Sequence, residues 1–301
     1  MMRFEPIHEE RYSVGEGPIW DAQTARLYWV DIIGKTLHAF APSSGERQVW
    51  ASRDFPTALA LAGGGSHALV AMAAGMAWLN LSSGHITAFV SPDSMDGNRL
   101  NEGKCDPQGR FWTGSMQTNL NPDGSGRNMD RNSGALFRVD PDGSTHAMTE
   151  HEFGISNTLA WSPDGKTMYF GDSIRNVIFA YDWHGDEGRI SNPRVHLEGF
   201  ERGAPDGSAI DQDGCLWNAR FGGSCLIRIT PQGDVDQVIE LPVTNPTSCA
   251  FGGGGSDTLF VTSAQFSLSS DQLATNPMEG AVLAASAGVT GLAAARFAAQ
   301  P

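Results

Sequence analysis

Four oxygen-bearing side chains, Glu16, Asn101, Asn157 and Asp206, recur at one phase of an internal repeat. Carboxylates and carboxamides supply only oxygen donors. That set suits a hard divalent cation, Ca2+ first, with Mg2+, Mn2+, Zn2+ or Fe2+ as alternatives, and it lacks the His and Cys of a typical zinc site. A cation so held polarises a carbonyl and lowers the pKa of water, and Asp206 or Glu16 can act as general base. A single Asn or Asp at a strand start ordinarily makes local turn hydrogen bonds. Four in register, flanked by Gly15, Gly17, Gly103 and Gly207, point instead to one shared site. Whether Asn101 or its neighbour Glu102 touches the metal directly is left open by the sequence.

The repeat that sets this phase is anchored by apolar or aromatic pairs following turns: Leu27-Tyr28, Ala68-Leu69, Phe111-Trp112, Met168-Tyr169, Leu216-Trp217 and Leu259-Phe260. Glu16 and Asn157 stand 11 residues before their anchors, and Asn101 and Asp206 stand 10 before theirs. Successive anchors are 41, 43, 57, 48 and 43 residues apart, the range of four-stranded propeller blades. Short β-branched and aromatic runs alternate with turns such as Pro163-Asp164-Gly165 and Pro141-Asp142-Gly143, a strand and hairpin grammar. Six anchors predict an all-β, six-bladed β-propeller of four-stranded antiparallel blades, a single domain over residues 1–301.

In up-and-down blades, the start of the first strand and the loop joining the second and third share a face. The long 57-residue interval predicts an enlarged loop of that type over residues 117–133, and a second insertion is expected over 266–276. Both should overhang the phased residues, as scaffold loops commonly do at binding sites. The other two blades offer Thr57 and the vicinity of Ser248 at this phase, small residues that leave room.

Composition narrows the partners. A net charge of −14 over 301 residues disfavours nucleic acid, which needs clustered Lys and Arg. No run approaches the roughly 20 apolar residues that span a bilayer. The acidic amino terminus has no apolar core and so is not read as a secretory signal. Cys105, Cys215, Cys225 and Cys249 fit no zinc or redox spacing and are expected to be free thiols in a cytoplasmic protein. None of the eight His falls at the repeat phase, so all are expected to be structural or surface groups. The Ala-rich stretch after Gly280 is broken by Gly288 and Gly291 and is expected to give final strands and a loose end. Nothing requires an oligomer. There is no Gly-x-Ser-x-Gly elbow, and the runs Gly63–Gly65 and Gly252–Gly255 lack a following Lys-Ser/Thr, so they read as hairpin turns.

Five motifs taken in order resemble the senescence marker protein/gluconolactonase family, which includes regucalcin and bacterial sugar lactonases. They are Gly15-Glu16-Gly17-Pro18-Ile19-Trp20, Arg99-Leu100-Asn101-Glu102-Gly103, the run Gly109 to Met116, Ile155-Ser156-Asn157 and Pro205-Asp206-Gly207. The resemblance covers about residues 12–285. It implies a propeller with one axial divalent metal, hydrolysing an aldonolactone to the aldonic acid. By that resemblance Glu16, Asn157 and Asp206 are the metal ligands and Asp206 is also the general base. Arg99 and Asn101 match substrate-binding positions, and Asp130 takes the place of an acidic residue that contacts sugar hydroxyls. Thr158 departs from the pattern, since many members carry Gly there. Alternative readings are a calcium-binding regulatory protein without turnover, an aryl-ester or organophosphate hydrolase, and a pure interaction scaffold, which would need no axial carboxylates.

Overall fold

The computed structural model describes residues 2–301 as six four-stranded antiparallel sheets arranged in a ring. The innermost strands are Gly15–Asp21, Pro56–Leu61, Asn98–Cys105, Ser156–Trp161, Ala204–Ile210 and Pro246–Gly252. Each touches its neighbours in order, and the last packs on the first to close the circle. The predicted six-bladed propeller is therefore the observed fold. The sixth blade is completed by the amino terminus: Glu5–Pro6 pairs with Leu283–Ser286, which continues from Thr258–Ser263. Pairing the amino-terminal strand with one from near the carboxyl end, in one sheet, locks the ring.

Burial falls from the axis outward. The inner strand Ser156–Trp161 is buried at every position, whereas the outermost strand of the third blade, Thr145–Ala147, is exposed throughout. The anchors occupy second strands, wedged between adjacent blades: Leu27, Phe111, Met168, Leu216 and Leu259 have no accessible surface. In the second blade the anchor pair splits between the two wedges, the small Ala68 facing the first blade and Leu69 the third. The histidines divide between the surface, as with the exposed His85, His146 and His151, and the packing, as with His38, which is buried and stacked on Trp29 with ring centres 5.1 Å apart. All four cysteines are free and buried. No helix among the described residues is long and apolar enough to cross a membrane.

The carboxyl-terminal stretch is not the loose end its glycines and alanines suggested. It straps across the face opposite the phased residues. Gln212 N–H donates to Thr290 O and Leu292 N–H to Ile210 O in the fifth blade. Farther along, Phe297 exchanges backbone hydrogen bonds with Leu61 and Gly63 of the second blade, and Ala298 N–H donates to Gly109 O of the third. Arg296 pairs with Asp21 of the first blade. The strap roofs a cavity of about 650 Å³ lined by Ile19, Trp20, Leu159, Trp161 and Phe251, at the lower mouth of the axial channel. Small residues there let the strap lie close, and one large side chain, Phe297, is fully buried as its anchor.

Phe297→Ala should therefore cost about 3–5 kcal/mol of unfolding free energy, as large-to-small aromatic core changes do. Urea unfolding followed by tryptophan fluorescence checks this. A loss below about 1 kcal/mol would mean the strap contributes no real packing.

Candidate metal centre and active site

Strand pairing explains the phase seen in the sequence. The anchors Leu27, Phe111, Met168 and Leu216 pair with Trp20, Cys105, Trp161 and Ile210. Glu16, Asn101, Asn157 and Asp206 each lie four residues before those partners, so the 10 or 11 spacing reflects only hairpin-turn length. The same count gives Thr57 in the second blade and Thr247, not Ser248, in the sixth. At this level all six inner strands carry a β-bulge, with the extra residues falling between Glu16 and Ile19, Pro56 and Ala58, Leu100 and Gly103, Asn157 and Ala160, Pro205 and Ser208, and Pro246 and Ser248. A bulge bends the strand, breaks its alternation and re-aims side chains, here around the axis. Glycine is required within this tight level: a Cβ on Gly207 would stand 2.1 Å from Ser248 Oγ.

The phased residues meet. Asn101 Nδ2 donates to Asn157 Oδ1 at 3.2 Å and to Ser156 O at 2.8 Å, while Asn101 Oδ1 accepts from Arg99 Nη1 at 2.7 Å. Asn157 Nδ2 donates to Ser173 Oγ at 2.9 Å, which fixes its amide with Oδ1 turned toward Asn101. Glu16 Oε2 accepts from the N–H of Gly17 at 2.7 Å, and its carboxyl contacts that of Asp206. Arg99 is buried, with Nη2 donating to Asn119 Oδ1 at 3.0 Å and Nε left without a partner.

Asp130 stands apart from this group. It is exposed on the long loop, and its carboxylate accepts from Gln117 Nε2 at 2.6 Å while its N–H donates to Gln117 Oε1. Its link to the site runs through the end of a second strand. The loop that carries it reaches far across the face. Lys35 Nζ donates to Pro122 O over the first blade, and Leu120 packs in a cluster with Ile32, Ile33 and Phe266. Phe266 opens the second insertion, and its ring lies against Gly126. The two insertions, from opposite sides of the ring, meet over the phased residues. The second contains a short helix, Ser270–Thr275, started by a Ser269–Gln272 capping box.

Electrostatics marks the centre. Burial pushes the Glu16 carboxyl up to about 8, aided by the nearby charge of Glu102. Burial, then the charges of Glu16 and Glu102, raises Asp206 well above the carboxylate range. Glu102 is itself raised by burial, and its Oε2 is sealed from solvent without a hydrogen-bond partner. Burial lowers Arg99 to about 10, against the pull of Glu16 and Asp206, so it remains cationic at neutral pH. Adjacent buried carboxylates ionise together only with a cation beside them. Among the described residues no three His, Cys, Asp or Glu side chains form a metal-binding group. A cation site here would rest on two carboxylates and be completed by the Asn157 amide oxygen. The donor chemistry, the mutual repulsion and the orphaned Glu102 oxygen together fit a divalent cation. Glu102 was the residue sequence reasoning left undecided. Strand alternation would turn it away from Asn101, and the bulge at these two residues breaks that alternation, leaving Glu102 buried beside the half-buried Asn101.

Residues 14–265 match the SMP-30/Gluconolactonase/LRE-like region. The chain belongs to this family. It is 34% identical to the L-arabinolactonase of Azospirillum brasilense, over 98% of this chain and 95% of that protein. It is also 34% identical to the regucalcin of Xenopus laevis, over 99% of each. Among solved structures, regucalcin of Agrobacterium tumefaciens, described as a calcium-binding protein, superposes with a TM-score of 0.89 at 27% identity, covering 98% of this chain and 97% of that one.

The raised carboxyls fix the sign of a pH dependence. Glu16 moves from 4.5 to about 8, so its contribution to stability is present below pH 4.5 and is lost as pH rises through 8. His8, His38 and His196, lowered by burial from 6.5 to about 4, act oppositely but only below pH 6.5. From about pH 7 to about 8.5 the carboxyls therefore dominate. Chelator-treated protein should lose thermal stability across that window, while Mn2+ binds more tightly and releases protons. Thermal melts, and calorimetry in buffers of differing ionisation enthalpy, test both; Mn2+ affinity that falls with rising pH would refute the assignment.

Proposed function

We propose that this chain is a metal-dependent lactonase that hydrolyses a sugar lactone to the corresponding aldonic acid. The observation that carries the reading is the contact of the half-buried Glu16 with the buried Asp206, beside the Asn157 amide and the Arg99–Asn101 pair. Glu16, Asn157 and Asp206 would hold the cation, Ca2+ being the first candidate on the oxygen donor set. When bound, it polarises the lactone carbonyl and offsets negative charge developing there.

The chain's own groups supply the rest. Asp206 accepts a proton from the attacking water as its oxygen bonds to the carbonyl carbon. Collapse of the tetrahedral species breaks the ring C–O bond, and the proton held by Asp206 passes to the departing ring oxygen, giving a hydroxyl and a carboxylic acid that ionises to the carboxylate by releasing its proton to solvent. Arg99 faces this chemistry with an unpaired Nε–H, and the Asn101 amide is held rigidly by Arg99 and Ser156. Both suit the lactone and sugar oxygens. Asp130, on the overhanging loop, would meet peripheral hydroxyls of a bound sugar. The meeting of the two insertions limits water entry from that face. One such propeller, acting as a monomer on a small molecule in the cytoplasm, is a complete unit for this reaction.

The first test is a pH-indicator assay on pentono- and hexonolactones, using metal-stripped protein restored with each divalent cation. Metal-dependent acid release well above the spontaneous rate is expected. Tight metal binding without acceleration on any lactone would transfer the reading to a calcium-binding role, and turnover only of aryl esters would change the substrate class. Within the assay, Asp206→Asn and Glu16→Gln should each lower kcat by about 100- to 1,000-fold while the circular dichroism spectrum is retained. Full activity in both, with metal supplied, would sink the mechanism. Asp130→Ala should alter the ranking of lactones more than the best rate, and an unchanged ranking would remove Asp130 from the pocket.

A further inference from the structure

The carbonyl of Asp206 lies within the bulge of the fifth blade, where Asp206 and Gly207 together oppose the single residue Ala219 and the ladder cannot pair them both. Two side chains satisfy it. Thr158 Oγ1 donates at 2.7 Å and Asn218 Nδ2 at 2.9 Å. Thr158 belongs to the neighbouring fourth blade and directly follows Asn157. Its backbone is held at φ 56°, in the left-handed region, where a β-branched residue is an outlier that persists only when its surroundings fix it. Those surroundings are complete: Thr158 is fully buried, and its hydroxyl also meets Asn218 Nδ2 at 3.1 Å and Ser208 Oγ at 3.1 Å. Asn218 Oδ1 in turn accepts from the buried guanidinium of Arg220.

A second hydroxyl repeats the bridge between the same blades. Ser173 Oγ accepts from Asn157 Nδ2 at 2.9 Å and donates to Pro205 O at 2.6 Å. Asn157 is thus tied to Pro205 through its side chain, and its successor Thr158 is tied to Asp206 through the backbone carbonyl.

We propose that Thr158 and Ser173 are positioning residues, a pair of hydroxyl clamps that set the separation of Asn157 Oδ1 from the Asp206 carboxylate and so the size of ion the centre takes. This rests on the metal-centre reading above. The strained backbone at Thr158 aims its hydroxyl across the blade boundary. Removing either clamp lets the two donors drift apart, which weakens the small, rigidly coordinated ion more than a large, flexibly coordinated one.

Binding of Mn2+ and Ca2+ to metal-stripped protein, measured by calorimetry without substrate, tests the proposal. Thr158→Val keeps shape and loses the donor, and Ser173→Ala loses the other. Each should weaken Mn2+ binding by about 10- to 100-fold and Ca2+ binding by less, so that the Mn2+/Ca2+ preference falls. Thr158→Ser should bind both ions within about twofold of the parent, because the hydroxyl is restored. Should Thr158→Val fail to fold, Thr158→Gly removes the hydroxyl at a φ that glycine adopts without strain, and the same loss is expected. Unchanged Mn2+ affinity and ion preference in folded variants of both clamps would overturn the positioning role alone. Parent protein that binds neither ion would overturn this role and the metal centre together.

Discussion

The contact between the carboxyls of Glu16 and Asp206 is the constraint around which the rest of the structure is organised. Asp206 and Glu102 are buried and Glu16 is partly so; burial raises all three, Glu16 and Glu102 raise Asp206 further, and Glu102 also raises Glu16. An arrangement of this kind works against folding, and the protein keeps it by over-determining everything near it. The Gly17 N–H holds one carboxylate, the Asp206 carbonyl is gripped from two directions, and Arg99 brings a buried positive charge to bear on both acids. Such a centre relieves its own repulsion by gaining a cation. The cost of the carboxylate pair and the affinity of the site are thus two sides of one electrostatic term.

Repetition makes the convergence possible. Six inner strands enter the axis side by side, and a bulge at one level of each breaks the strict alternation of a flat strand. Without it, Asn101 and Glu102 would point to opposite faces. With it, that alternation is broken: Glu102 is buried and its charge raises Glu16 and Asp206, while the half-buried Asn101 donates to Asn157. Blades that carry no ligand use the same bulge for different ends. Thr57 donates to Ala71 O, and Thr247 donates to Gly15 O, the carbonyl just before Glu16. The sixth blade thereby steadies the segment carrying the first carboxylate, although it contributes no donor of its own.

Much of this was legible in the sequence because it follows from period and residue type. The anchors fill wedges between blades, so their spacing gave the blade count. The phased residues stand a constant four positions from the anchors' strand partners, so radial convergence could be inferred before any sheet was seen. What escaped had no periodic signature. The sequence located the sixth-blade position only to the vicinity of Ser248, and turn length and the bulge fix it at Thr247. The carboxyl-terminal strap was missed because its alanines and glycines carry no strand pattern; it is held by backbone hydrogen bonds and a single phenylalanine. The two insertions could be located, yet their meeting through Phe266 and Gly126 depends on shape that neither loop encodes alone. Asp130 illustrates the limit, since its partner Gln117 fixes where it sits while its chemistry depends on what enters the pocket.

The division of labour between the two faces follows from the same physics. On one face the chain spends polar groups, bulges and a left-handed threonine, all of which oppose stability. On the other, the strap ties the second, third and fifth blades together by backbone pairing and reaches the first through Arg296 and Asp21. A ring of sheets resists distortion at its axis only if neighbouring blades cannot splay. A clasp across the lower mouth therefore bears on the upper one, because tilting any blade outward would move both ends of its inner strand. Closure of the sixth blade by Glu5–Pro6 acts in the same sense from the rim. Strain at the carboxylates and closure elsewhere are thus coupled through rigid inner strands only six to eight residues long, and the geometry of the donors is set as much by what holds the ring shut as by the residues that touch them.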